Sequence, residues 1–179
     1  MVKPINIRYN YSHIEKRMVV INMKRVRIGH WEIEHDKIAT QNAYALLPTI
    51  VQNCNCISCR NYYNACMQFP NEVLDFFSSL GTDPAKAAEI YDCGVFENGK
   101  LQYGGFYHIM GNVLSGEDVW QPVGTNHNVQ AEMLRLADDY EIGFSYATDL
   151  VDENFPRPVC QIEIAFRVPW VIAEPYPQQ

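Results

Sequence analysis

Residues 95–114, VFENGKLQYGGFYHIMGNVL, set an Asn-Gly pair between two strand-forming runs. Asn98-Gly99 suits a two-residue turn whose central positions need positive φ, so this stretch predicts an antiparallel hairpin. On its returning arm Phe106, His108, Met110 and Asn112 alternate with Gly105, Tyr107, Ile109 and Gly111, the period of a strand. Near the end of the chain, VCQIEIAFRVPW repeats the pattern. Cys160, Ile162, Ile164, Phe166 and Val168 face one way; Gln161, Glu163, Ala165 and Arg167 face the other. That predicts a half-buried antiparallel strand. A second half so committed to strand pairing must take its covering layer from elsewhere.

The first half supplies helix signals. Asp36 is placed to cap a helix reaching about Leu47, which Pro48 ends. A helix over 57–67 would put Cys59, Tyr63 and Cys66 on one stripe. Another, opened by Pro70, would bury Val73, Phe77 and Leu80 and stop at Gly81. TDPAKAAEIY, with Asp83 as cap and Pro84 behind it, predicts a further short helix. KRVRIGHWEIEHD reads as a strand, residues 115–130 as a loop, 131–140 as a short helix and GFSYATDL as a strand. The expected fold is α+β, short helices packed on a mostly antiparallel β-sheet.

At 179 residues the chain has the length of one domain. The expected division is a basic N-terminal arm or added strand over 1–22 and a single α+β domain over 23–179. Seven of the fourteen basic residues fall in the first 27 positions against one acid there, Glu15, a net of +6; the remainder carries −13. An acidic body repels a phosphate backbone, so nucleic acid is not an expected partner except through the basic arm. No run has the roughly 20 apolar residues of a membrane span, and the N-terminus lacks a signal-peptide pattern. The expectation is a cytoplasmic protein with reduced thiols and no membrane partner.

Four of the six cysteines lie in NCNCISCRNYYNACMQFP, residues 53–70. Zinc takes four tetrahedral thiolate or imidazole ligands, and short spacing lowers the entropy of gathering them. Cys54, Cys56 and Cys59 supply three thiols where a loop enters a helix. His108 is the expected fourth ligand, with Cys93 as its alternative and Cys66 and Cys160 further candidates. The competing reading makes the cysteines small core residues, and it suits Cys66 and Cys160, on apolar stripes, best. A second chemistry is a cysteine-dependent enzyme, hydrolase or thiol redox, with Cys59 as nucleophile and His108 as base. His30, Glu32 and Glu34 share a strand face that solvation explains as well as a metal does. Nucleotide-binding glycine loops and the nucleophilic serine elbow are missing from the sequence.

The blocks VRIGHWEIEHD, NCNCISCRNYYNA, FPNEVLDFFSSLGTDPAKAAEIY, YGGFYHIMGNVL and CQIEIAFRVPWVIAEP, in that order, resemble a family of small uncharacterised bacterial proteins. The resemblance covers residues 26–174, implies no catalytic residue and makes 1–22 the variable part. The expected function is a non-enzymatic binding protein carrying a structural zinc, whose Tyr- and Gly-rich sheet surface meets a protein partner.

Overall fold

The computed structural model describes residues 22–96, 99–124, 127–130 and 133–177. In chain order the elements are β1 (Lys24–Ile28), β2 (Trp31–His35), α1 (Lys37–Leu46), α2 (Ile50–Asn53), α3 (Ile57–Cys66) and α4 (Asn71–Leu80). There follow β3 (Glu89–Val95), β4 (Leu101–Ser115), β5 (Trp120–Val123), β6 (His127–Gln130), β7 (Leu134–Ala137), β8 (Tyr140–Ser145) and β9 (Val159–Val168). The fold is α+β: a seven-stranded antiparallel sheet ordered β1-β2-β4-β9-β8-β7, with β3 also on β4, and a separate β5–β6 hairpin.

β4 organises the sheet. One edge pairs with β9 from Leu101 to Met110. The other edge is shared: β3 pairs with Leu101–Phe106, and β2 with 111–115. Between them the strand has no strand partner, yet a buried N–H left unpaired would cost about 1–3 kcal/mol. Helix α1 fills the gap with side chains. The His108 N–H donates to the Tyr44 hydroxyl at 3.2 Å, and the Met110 N–H to Thr40 Oγ1 at 2.9 Å. The Thr40 hydroxyl in turn donates to the Asp36 carbonyl. The Asp36 N–H reaches the Met110 carbonyl at 2.9 Å, and the Ala88 N–H reaches that of Phe106 at 3.0 Å.

One face of the sheet holds an aromatic core under α3 and α4. Phe69 meets Phe166 and Tyr140 with ring centroids 5.7 and 5.2 Å apart, and Phe77 meets Tyr107 at 4.8 Å. Three buried tyrosines are hydrogen-bonded, as polar groups must be in such a place. Tyr107 donates to the Pro84 carbonyl, which leaves its oxygen to accept from Tyr62 at 2.8 Å. Tyr103 donates to the Ser58 carbonyl. The sheet curls around this core, so that Trp31 on β2 meets Phe144 on β8 at 5.5 Å and the β1–β2 turn reaches Leu134 on β7.

Several expectations need correction. The single strand over 24–36 is a hairpin, because Gly29 (φ 59°) opens a two-residue turn that closes Ile28 onto Trp31. The helix at TDPAKAAEIY is one 3₁₀ turn, Pro84–Lys86, after which the chain enters β3. The 115–130 loop contains the β5–β6 hairpin. The helix over 131–140 is β7 turning into β8. Asp139 takes a positive φ of 70° there, its carbonyl accepting from the Arg167 N–H and its carboxylate pairing with Lys100. The Tyr- and Gly-rich stretch of β4 is no free surface, since Tyr103 and Tyr107 are fully buried. Nor is β9 half-buried: Gln161 and Glu163 are inside as well. Residues 1–21 of the arm, Asn98, Ala131 and Glu132 lie outside the described residues.

Thr40→Val keeps the side chain's shape and deletes the acceptor for Met110. It should destabilise the protein by about 1–3 kcal/mol in urea unfolding, speed hydrogen exchange at the Met110 amide, and be largely repaired by Thr40→Ser.

Candidate metal centre

The cysteine segment is built by two successive helix ends. Thr49 and Gln52 form a reciprocal capping box that starts α2. The Cys54 N–H closes α2 onto Ile50 at 2.8 Å. Two residues later Cys56 caps α3, its sulfur accepting from the Cys59 N–H at 3.5 Å where a serine or aspartate oxygen commonly sits. Cys59, in the first turn, comes back over that cap. The Sγ atoms of Cys54, Cys56 and Cys59 thus lie within 4.8 Å of one another. Cys54 and Cys56 are exposed and Cys59 is buried.

Behind the sulfurs the first turn of α3 is fixed. Ser58 donates to Asp92 on β3 at 2.8 Å, while its carbonyl accepts from Tyr103. Asn61, fully buried, donates to the Pro169 carbonyl and accepts from the Val171 N–H at 2.7 Å, holding the C-terminal segment across the helix. Arg60 and Glu174 add an ion pair at 2.6 Å, and Trp170 donates to the Glu174 carbonyl. The trio therefore has a rigid back and a solvent front.

The Cys56 backbone N–H, then the Cys56 and Cys59 thiols, hold Cys54 below the ordinary thiol range. Burial pushes Cys59 far up, and the neighbouring sulfurs add to it. A soft cation would take the place of the thiol protons by bonding all three sulfurs. Thiolates on a tetrahedral zinc, about 2.3 Å from the ion, stand roughly 3.8 Å apart. The trio is within about 1 Å of that spacing, a difference that rotation of two exposed side chains absorbs.

The other candidate residues lie apart from this group. Adjacent residues of a strand point to opposite faces, and it is Tyr107, under Tyr62 of α3, that faces the helices. His108 points to the other face, its ring 5.9 Å from that of Phe155 and hydrogen-bonded to Gln161. Cys93 is exposed, one residue from the Asp92 that faces Ser58. Neither joins the three-sulfur group, and Cys59 and His108 are not brought together as nucleophile and base. Cys66 and Cys160 are core residues, Cys66 donating to the Pro84 carbonyl.

A second polar cluster, unread in the sequence, occupies that far face. Gln161 Oε1 accepts from the Asp149 N–H at 2.8 Å and stands 3.3 Å from His108 Nε2. Its amide donates to Glu163 at 2.6 Å, and the Trp120 side chain bonds Glu163 as well. Val119 seals the cluster by packing where Gly143 has no side chain, 2.4 Å from where a Cβ would stand. Burial lowers the pKa of His108 and raises that of Glu163, with Asp118 and Asp149 adding to the second shift. The signal was present in the spacing of Gln161 and Glu163, which share a strand face with each other and with His108, the register partner of Gln161.

No family model, no curated protein and no solved structure matches the chain. Among the described residues no helix is long and apolar enough to cross a membrane.

With its folded pKa above the ordinary 4.5, Glu163 favours the native state below pH 4.5 and costs stability as pH rises through the folded value. Glu163→Gln should therefore gain stability relative to the parent as pH is raised from 4.5. Urea unfolding of both proteins across that range checks it; a constant difference would refute the assignment.

Proposed function

We propose that the chain is a zinc-binding interaction protein, its ion held by the thiolates of Cys54, Cys56 and Cys59. The observation that carries this reading is the approach of three sulfurs to within 4.8 Å at the start of α3, two of them facing solvent. Cysteine is ordinarily among the most buried residue types, so the exposure of Cys54 and Cys56 speaks against packing as their purpose. An all-sulfur donor set favours zinc or another soft ion over magnesium or calcium. Bound zinc would join the end of α2 to the cap of α3 and stiffen the loop between them. The fourth ligand would come from the solvent side, where a protein partner also has access. Three thiolates leave little electron demand on the ion for activating water, so the reading is binding rather than hydrolysis. The net −13 of residues 28–179 favours a protein partner over nucleic acid.

Native mass spectrometry of untagged protein tests the site directly. One zinc per chain is expected, lost in Cys54→Ser and in Cys56→Ser; metal-free parent protein after incubation with zinc would sink the proposal. Free zinc at about 100 times Kd should raise unfolding stability by about 2.7 kcal/mol. Affinity should fall as pH is lowered, because protons compete for the thiolates. Isothermal titration at two pH values would detect the accompanying proton release.

A further inference from the structure

We infer that Cys56 and Cys59 form a dithiol that exchanges with low-molecular-weight disulfides, closing to an intramolecular disulfide and leaving Cys54 free. Expulsion of an ion by this closure rests on the zinc reading above; the disulfide itself does not. The pair is selected by geometry. Cys56 is the cap of α3 and Cys59 its third residue. Positions three apart on a helix stand roughly 5 Å apart at Cα, inside the range of about 4.4–6.8 Å that a disulfide spans. Cys54 and Cys56, both extended, are two extended steps apart, roughly 6.6 Å, at the edge of that range. The Cys59 N–H on Cys56 Sγ already turns that sulfur back over the first helical turn. The anchors on Ser58 and Asn61 keep the turn in place whether the pair is reduced or closed.

Exposure sets the order of events. Of the pair, Cys56 faces solvent and Cys59 lies behind it, so the external disulfide meets Cys56 before Cys59. The Cys56 thiolate attacks one sulfur of that disulfide, a mixed disulfide forms, and one small thiolate leaves. Cys59, having given its proton to solvent, then attacks Cys56 Sγ. The new bond forms as the mixed disulfide breaks, and the second small thiolate departs. The external disulfide gains two electrons and the protein dithiol loses two. The two cysteine protons released to solvent balance those taken up by the departing thiolates. Closure removes two of the three sulfurs of the metal group, so an ion held there loses its site.

The experiment equilibrates the full chain, zinc-free and zinc-loaded, with oxidised and reduced glutathione, then blocks free thiols with iodoacetamide. Trypsin releases residues 38–60, which contain all three cysteines. Tandem mass spectrometry should find that peptide about 2 Da lighter through one disulfide, with its only alkyl label on Cys54. Cys54→Ser should keep the disulfide; Cys59→Ser should stop at a glutathione adduct on Cys56. Zinc-loaded protein should lose one zinc for each disulfide formed. Three alkyl labels under oxidising glutathione, or a label on Cys56 or Cys59 with Cys54 paired, would overturn the inference. A disulfide in protein that never takes zinc would overturn the zinc reading alone, whereas bound zinc with three labels throughout would overturn only this one.

Discussion

Two hydroxyl groups on α1 complete the edge of β4, and the arrangement of the other elements follows from that substitution. β4 is fifteen residues long, and β2 and β3 approach the same edge from its two ends. Where neither reaches, Thr40 and Tyr44 accept the N–H groups of Met110 and His108. A strand cannot fill so short an interval, but a helix laid along the gap can, provided its facing residues carry hydroxyls at i and i+4. Docking α1 there sets the paths of β2 before it and of the α2–α3 segment after it. The helical layer is thereby fastened to the sheet by directional bonds, in addition to the apolar burial that holds most of it. Lys86 donates to the Tyr44 carbonyl at 2.6 Å, tying the approach to β3 to the same helix.

Much of this was readable from periodicity and caps. Asp36, Pro70 and Gly81 marked the ends of α1 and α4 because each solves a local backbone problem. β4 and β9 announced themselves through alternation, whereas the first three residues of β3 lay in a predicted helix. Two of the failures share a cause: reversals without an Asn-Gly or Pro signature. Gly29-His30 lay inside what reads as one continuous strand. Asp138-Asp139 sat in an apparent helix because nothing in the sequence tells an aspartate to adopt positive φ. The Arg167 amide and the Lys100 side chain hold Asp139 there, and both come from distant parts of the chain.

The site was legible to a different degree. Close spacing was enough to bring Cys54, Cys56 and Cys59 together, since six residues of loop and first turn leave the sulfurs little room to separate. A fourth ligand is a tertiary question, decided by which face of β4 a residue occupies. Parity along the strand places His108 opposite Tyr107, and only the helices' choice of face reveals which of the two is near α3. The same choice made Gln161 and Glu163 interior. Their alternation with apolar residues was read correctly, but the loops around Val119 and Phe155 that cover them leave no periodic trace.

The molecule therefore holds two polar clusters with opposite relations to water. Glu163, Gln161 and His108 are sealed, hydrogen-bonded to one another and to the loops above them, and a buried network of this kind fixes structure while excluding ligands. The thiols are half in solvent on a turn whose back is pinned to β3, β4 and the C-terminal segment. Reactivity of sulfur depends on access and on a partner sulfur within reach, and those two conditions coincide at the start of α3. Cys93 has access without such a group, while Cys66 and Cys160 are buried. Among the described residues, the start of α3 is where the fold leaves thiols both gathered and open.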